Sequence, residues 1–346
     1  SVNDVVWGPG MLVLLVGTGL YLTVGLKFFT FRNFFRGLKN LWAGRSNQSE
    51  QGEISPFNAL MTALAADIGT GNIVGVSTAI YIGGPGALFW MWVTALVGMA
   101  TKFSEVLLSV HFREKTPAGN WVGGAMYFIK NGLGPKWMWL GSCFALFGIV
   151  ACIGTGAMVQ GNSIGEAIQA NLSIPTWFTA VAVFLLAGAV LIGGVKRIGA
   201  VAGKVVPAMA VIYVLISLIV IILHIDQLPR VLAWVVAEAF TPTAAEGGFA
   251  GATIQMAIQN GVARGVFSNE SGLGSAPIAA AAARTKEPVE QGLISMTGTF
   301  IDTLIICSLT GLTILITGVW DGNLNGVSLT QAAFASVFAN FGPVLL

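Results

Sequence analysis

The sequence predicts an all-α protein that crosses a membrane many times. Three observations carry that reading. The 346 residues are 55% hydrophobic and only 9% charged, against roughly 25% charged in soluble domains, and the mean hydropathy is +0.80. Several apolar runs reach the ~20 residues that cross a hydrocarbon core as helix. Two of those runs are interrupted midway by glycines and polar side chains. Broken backbone at that depth is tolerated only where protein or a water-filled cavity receives it.

In order, 11–26 is the first apolar run. Residues 27–39, basic and aromatic, read as an amphipathic segment at the membrane surface. A polar linker follows at 46–53, then an interrupted span at 56–82, a turn at 83–86 and a span at 87–112. Residues 113–135 form a polar connection. Further spans are predicted at about 136–168, 176–194 and 205–224, with a polar, mixed stretch at 225–249. A second interrupted span covers about 251–283, another span 289–317, and a partial one starts near 331. The chain begins with Ser1 and stops in an apolar run, so it is read as trimmed at both ends or as a fragment. No cleavable signal peptide is expected, because the first run follows an acidic segment and no A-x-A-like site follows it.

Of the 17 basic residues, Lys102 and Arg264 lie within spans. With these spans, Arg230 alone falls on one side of the membrane, and all the others fall on the opposite side. Positive loops face the cytoplasm, which places the N-terminus outside. Cys143, Cys152 and Cys307 sit in apolar runs, too dispersed for a metal site or a disulfide framework, and read as packing residues.

The first interruption reads Leu64-Ala-Ala-Asp-Ile-Gly-Thr-Gly-Asn-Ile-Val-Gly-Val-Ser-Thr78. Its glycines allow unwinding and close approach of a ligand to backbone, while Asp67, Thr70 and Asn72 set oxygen atoms at one depth. A broken helix exposes one N-terminus, which attracts anions, and one C-terminus, which attracts cations. That combination suits a zwitterion together with a metal cation; a glycine-rich helix-packing face is the alternative. The second interruption contains Arg264-Gly-Val-Phe-Ser-Asn-Glu-Ser-Gly-Leu-Gly-Ser-Ala-Pro277. The assigned topology runs the two broken helices in opposite directions. Paired breaks in opposed halves point to the midplane site of a secondary transporter. The repeat rests on hydropathy and breaks alone, since the halves share no evident residue-level similarity. The Gly69-Thr-Gly-Asn-Ile-Val-Gly75 segment superficially resembles a dinucleotide loop, but no strand precedes it. No nucleic-acid partner is expected, and no nucleophile–base pair points to an enzyme.

Gly83-Gly-Pro-Gly-Ala-Leu-Phe-Trp-Met-Trp-Val-Thr-Ala-Leu-Val-Gly98 resembles the signature of the sodium:alanine (alanine or glycine:cation) symporter family. Gly69–Asn72, Ala100–Glu105, Gly123–Tyr127 and Phe267–Pro277 are similar to that family's other recurrent segments, so the resemblance covers nearly the whole chain. It implies a leucine-transporter-like fold, a five-plus-five inverted repeat with an extra N-terminal helix, whose core helices 1 and 6 are the broken ones. Residues 1–346 then form a single transmembrane transporter domain. The first repeat spans about 56–224 and a partial second about 250–346, ending within core helix 8. The implied function is sodium-coupled import of a small neutral amino acid, alanine or glycine, by alternating access across a prokaryotic plasma membrane. The alternatives are a proton-coupled transporter of the same fold and a non-transporting sensor or channel.

The candidate site residues follow. A substrate carboxylate would sit at backbone N–H groups near Thr70, Gly71 and Asn72. Gly265, Phe267 and Ser268 would line the opposite wall, with Phe267 a hydrophobic lid or a core residue. Gln160 reaches the substrate or a neighbouring helix. Asp67 is the natural partner for a cation or an ammonium group. By the resemblance, Asp67, Asn72 and Ser268 share a sodium ion, which favours hard oxygen ligands. Glu270 reads as a gate or as the partner of Arg264, and Asp302 as an ion ligand or a packing hydrogen-bonder. Lys102 and Glu105, three apart on one helical face, are expected to neutralise each other. His111 and His224 are read as interfacial.

Overall fold

The computed structural model describes residues 7–45, 51–241, 253–321 and 324–339. Helix α1 (Pro9–Gly25) opens with Pro9, whose missing N–H costs nothing in a first turn. After a single turn at Phe29–Arg32 comes α2 (Phe34–Ala43), the amphipathic segment, with Gly37 and Leu41 buried and Phe35 and Arg36 exposed. The first broken span is α3 (Pro56–Asp67) followed by a π-helical turn, Gly71–Gly75, and α4 (Val76–Gly83). Ser55 caps α3 by accepting the Asn58 N–H at 3.1 Å. Helix α5 (Gly86–His111) leads into a hairpin of β1 (Glu114–Lys115) and β2 (Trp121–Val122).

Helix α6 (Met138–Ala151), a π turn at Cys152–Met158 and α7 (Val159–Leu172) follow one another as a single long span. Helix α8 (Thr176–Leu191) turns directly into α9 (Gly194–Leu223), and α10 (Leu228–Glu238) follows. The second broken span is α11 (Ile254–Asn269) and the short α12 (Ala276–Ala281). Helix α13 (Pro288–Thr299) passes through a π turn at Phe300–Cys307 into α14 (Ser308–Thr317), and α15 (Gly326–Phe338) comes last.

Among the described residues, four helical stretches are long and apolar enough to cross a bilayer, and the first broken span, bent by 46°, adds a fifth. The chain is thus an all-α polytopic membrane protein. Two boundaries differ from the sequence reading. Helix α9 starts at Gly194, so Lys196, Arg197 and Lys204 ride on its first turns rather than in a loop. Long basic side chains extend their charges to the interface from within a helix, which hydropathy reads as a loop. Helix α10 occupies part of the stretch expected to be a polar connection; it buries Val231 and Val235 while Leu232 and Val236 on the other side are exposed. The linker positions 46–50, the predicted start of the second broken span at 251 and the segment 340–346 lie outside the described residues.

Helix α5 is the axis of the packing. Gly261 of α11 sits on Ala87 and Trp90, and Gly265 on Met91 and Thr94. Gly292 of α13 meets Phe103, and Gly311 of α14 meets Leu88. Without a hydrophobic drive between helices in lipid, such small-residue contacts let backbones approach and gain dispersion energy. Leu88 and Met91 also join Ile80, Val235, Ile314 and Leu329 in the largest buried cluster.

The inner ends of the two broken spans are tied together. The Glu53 N–H donates to the Ala282 carbonyl at 2.8 Å, and the Arg284 N–H donates to that of Ile54 at 2.7 Å. Arg113, just past α5, donates to the carbonyls of Ala281 (2.9 Å), Ala283 (2.8 Å), Thr285 (2.5 Å) and Gln51 (3.2 Å). Its guanidinium also lies over the Trp121 ring, 4.4 Å from the centroid.

Candidate functional site

The first break begins where α3 ends. Ile68 is extended (ψ 98°), and the chain re-enters a helix at Thr70. Asn72 organises this turn: its Oδ1 accepts the Gly69 N–H at 2.8 Å. Gln160, at the start of α7, brings its Oε1 to 3.4 Å from the Thr70 nitrogen. The second break runs through Glu270, Gly272 and Gly274, all at positive φ (52°, 93° and 76°). The two glycines reach that region without strain, whereas Glu270 is an uncommon occupant of it. The breaks touch directly: a Cβ on Gly71 would lie 2.9 Å from Ser268 Cα.

Asn72 Nδ2 donates to Asp302 Oδ1 at 2.6 Å and lies 3.1 Å from Ser268 Oγ. Ser268 donates to Asp302 Oδ2 at 2.9 Å, and Thr303 donates to the same oxygen at 2.7 Å. Cys307 Sγ stands 3.2 Å from both Asn72 Nδ2 and Ser268 Oγ, and Asn269 donates to Thr303 at 3.1 Å. The π turn is what assembles this group. Its i→i+5 hydrogen bonds bring residues five apart, Asp302 and Cys307, to one face, whereas 3.6 residues per turn would set them well apart.

Asp67 lies apart from that cluster. Its Oδ2 is 3.6 Å from Lys102 Nζ, and both side chains are only 1% exposed. Neither Asp67 oxygen nor the Lys102 nitrogen has a hydrogen-bond partner among the described residues. Lys102 therefore faces Asp67 rather than Glu105, a correction to the expected pairing. Glu105 instead accepts the Gly272 N–H at 3.1 Å. Neighbouring turns of α5 thus hold one break each.

A cavity of about 360 Å³ opens toward the side assigned as outside, with Thr70, Val74, Arg264 and Phe267 on its wall. The Thr70 hydroxyl is buried there with no partner among the described residues. A second cavity of about 210 Å³ lies between the first break and α9, bounded by Gly69, Asn72, Tyr213 and Ile306.

Asn72, Ser268 and Asp302 are thus brought together, Gln160 and Gly71 adjoin them, and Thr70 and Phe267 line the larger cavity. Gly265 faces α5 and lines neither cavity. Glu270 accepts the Ser275 hydroxyl and forms no ion pair with Arg264. Cys307, expected to be packing, belongs to the polar cluster, as do Thr303 and Asn269. For these three the polar run 268–271 and the acid at 302 were the only signals available.

The family description "sodium:alanine symporter family" matches residues 1–346. An uncharacterized transporter of Haemophilus influenzae is 52% identical over 97% of this chain and 73% of its own. The sodium/alanine symporter AgcS of Methanococcus maripaludis is 46% identical over 100% of this chain and 77% of its own. The uncharacterized transporter YflA of Bacillus subtilis is 45% identical over 99% and 73%. The chain belongs to the sodium:alanine symporter family: it is a multi-pass membrane transporter and not an enzyme.

Proposed function

We propose that this protein imports a small neutral amino acid, alanine or glycine, together with sodium, by alternating access. The observation that carries the proposal is the junction of the two breaks, where Asn72 from one and Ser268 from the other share the Asp302 carboxylate. A site built across two half-helices changes shape when one bundle moves against the other. Oxygen atoms of Asn72, Ser268 and Asp302 form the hard donor set that sodium favours. Asp67, buried at the last residue of α3, is a second cation position or the partner of the substrate ammonium group. The substrate carboxylate sits at the N–H groups of Thr70, Gly71 and Asn72, with Gln160 beside them and Phe267 closing the outer side. Gly265 serves the packing of α11 on α5. The reading places the chain in a leucine-transporter-like five-plus-five repeat, one domain over 1–346, with repeats at about 56–224 and 250–346.

Sodium bound beside the substrate raises substrate affinity, and substrate raises sodium affinity by the same factor. The test is uptake of labelled alanine into liposomes holding the full-length protein, under an inward sodium gradient or with potassium alone. Sodium-dependent accumulation that falls in Asn72→Ala and Ser268→Ala supports the class and the site. Equal uptake without sodium removes the coupling. The second reading, proton coupling, is favoured by the buried Asp67 carboxyl, which has no hydrogen-bond partner among the described residues; uptake driven by a pH gradient in sodium-free buffer would select it.

A further inference from the structure

Two cavities lie along α3 and α9, a polar one at their inner ends and an apolar one farther along. The polar one, the mouth, measures about 280 Å³. Three cations from three separate segments converge on it: Arg45 beyond α2, Lys196 on the first turn of α9 and Arg284 after the second break. Ser55 and Asn58, at the N-terminus of α3, complete its polar wall, and Glu53 is its one acid. Glu53 is already engaged, accepting the Trp121 N–H at 2.8 Å. None of the three cations forms an ion pair among the described residues. Arg45 is held in place by stacking on Trp42 and Phe57, 3.8 and 4.4 Å from the ring centroids.

Farther along the same two helices lies an apolar groove of about 270 Å³. It is lined by Ala65 and Ile68 of α3, Val190 of α8, and Val201, Val205 and Met209 of α9. From Lys196 to Met209 the rise of α9 is about 20 Å, roughly the depth from a headgroup to beyond the middle of a ~30 Å hydrocarbon core. The amphipathic α2 fixes the mouth at headgroup level.

We propose that the two cavities together bind one anionic phospholipid, its phosphate among Arg45, Lys196 and Arg284 and an acyl chain along the groove. Basic pockets between helices on the cytoplasmic side hold acidic headgroups, but a phosphate site alone does not need the groove. The apolar continuation selects a lipid over a free anion. Ile68 and Met209, where the chain would end, also border the 210 Å³ cavity at Asn72. The lipid therefore lies against the wall of the candidate site and wedges between α3 and α9. Its effect on transport rests on the alternating-access reading; its binding does not, so the two fail separately.

The test measures binding to the purified full-length protein by native mass spectrometry, titrating phosphatidylglycerol, phosphatidylcholine and inorganic phosphate in turn. One phosphatidylglycerol is expected to bind each chain more tightly than phosphatidylcholine. Each of Arg45→Gln, Lys196→Gln and Arg284→Gln should weaken it by about fivefold. Val205→Trp, at an exposed position on the groove, should weaken phosphatidylglycerol and leave any phosphate binding unchanged. Lys196 is exposed, so its variant folds even if the others do not. Equal phosphatidylglycerol binding in wild type and Lys196→Gln would overturn the site. Inorganic phosphate displacing the lipid, with Val205→Trp neutral, would assign the mouth to a free anion and overturn the lipid.

Discussion

Two buried polar groups lie side by side behind the helix breaks, and they are built differently. Around Asp302, Asn72, Ser268 and Thr303 each direct a donor at the carboxylate within 2.6 to 2.9 Å. Around Asp67, the one charged partner among the described residues is Lys102, 3.6 Å away. A carboxylate with several short donors is stabilised by charge-assisted hydrogen bonds, and its neighbours are locked by it. A buried pair without hydrogen bonds gains Coulomb attraction but recovers little of the desolvation cost. The first group suits recognition, which needs fixed geometry. The second holds two helices together while leaving oxygen atoms of Asp67 free to accept something else.

The largest effect should come from breaking the loose pair. Lys102→Met leaves the Asp67 charge unpaired, and should cost about 3–5 kcal/mol of stability. The double variant Lys102→Met with Asp67→Leu should recover most of that loss. Thermal unfolding in detergent measures both, and a double variant no better than the single would end the pairing account. Next, Asp302→Asn replaces the shared acceptor. Losing charge-assisted hydrogen bonds worth about 1.5–3 kcal/mol each should cut sodium affinity by at least tenfold, read as the sodium concentration for half-maximal alanine uptake. An unchanged value would move the ion elsewhere, with Asp67 the first place to look.

Gly71→Ala should come third. Its methyl would press on Ser268 Cα at 2.9 Å, and overpacking of that kind costs about 1–3 kcal/mol. If the contact is part of the site, uptake should fall more than stability. The smallest effect lies outside the membrane, in the Lys130–Glu114 pair at 2.9 Å. Hydrogen bonds from Lys130 and Asn131 pull the Glu114 carboxyl below its ordinary value. Its contribution is therefore fully present above an unfolded pKa of about 4.3 and disappears as pH falls through the lower folded value. Being exposed, it should be worth at most about 1 kcal/mol. Lys130→Ala should accordingly leave unfolding at pH 7 nearly unchanged.

The breaks, most spans and the residues facing them were legible, because unwinding inside an apolar run leaves a composition that lipid would reject. Asn72 and Ser268 were placed together through the family resemblance, which set Asp67 with them as well. What stayed hidden depends on how each helix is rotated about its axis. Lys102 and Glu105 are neighbours on α5, yet they point to different breaks, and spacing cannot say which acid a lysine will meet across a bundle. Gly265 sits in a polar stretch but its face is set by α5. Cys307 entered the cluster through a π turn, which changes residue facing without altering hydropathy. Helix α10 was hidden because its 11 residues fall well short of the ~20 that read as a span.

Arg113 carries a last consequence. Its guanidinium joins four carbonyls, from Gln51 ahead of one broken helix and from Ala281, Ala283 and Thr285 after the other. A lysine or histidine in that place would make the seal a titrating one. Arginine does not release its proton in proteins, so this tie does not itself titrate. The seal responds only to the position of the two strands it grips, and its opening reports on movement of the helices rather than on the chemistry of the cytoplasm.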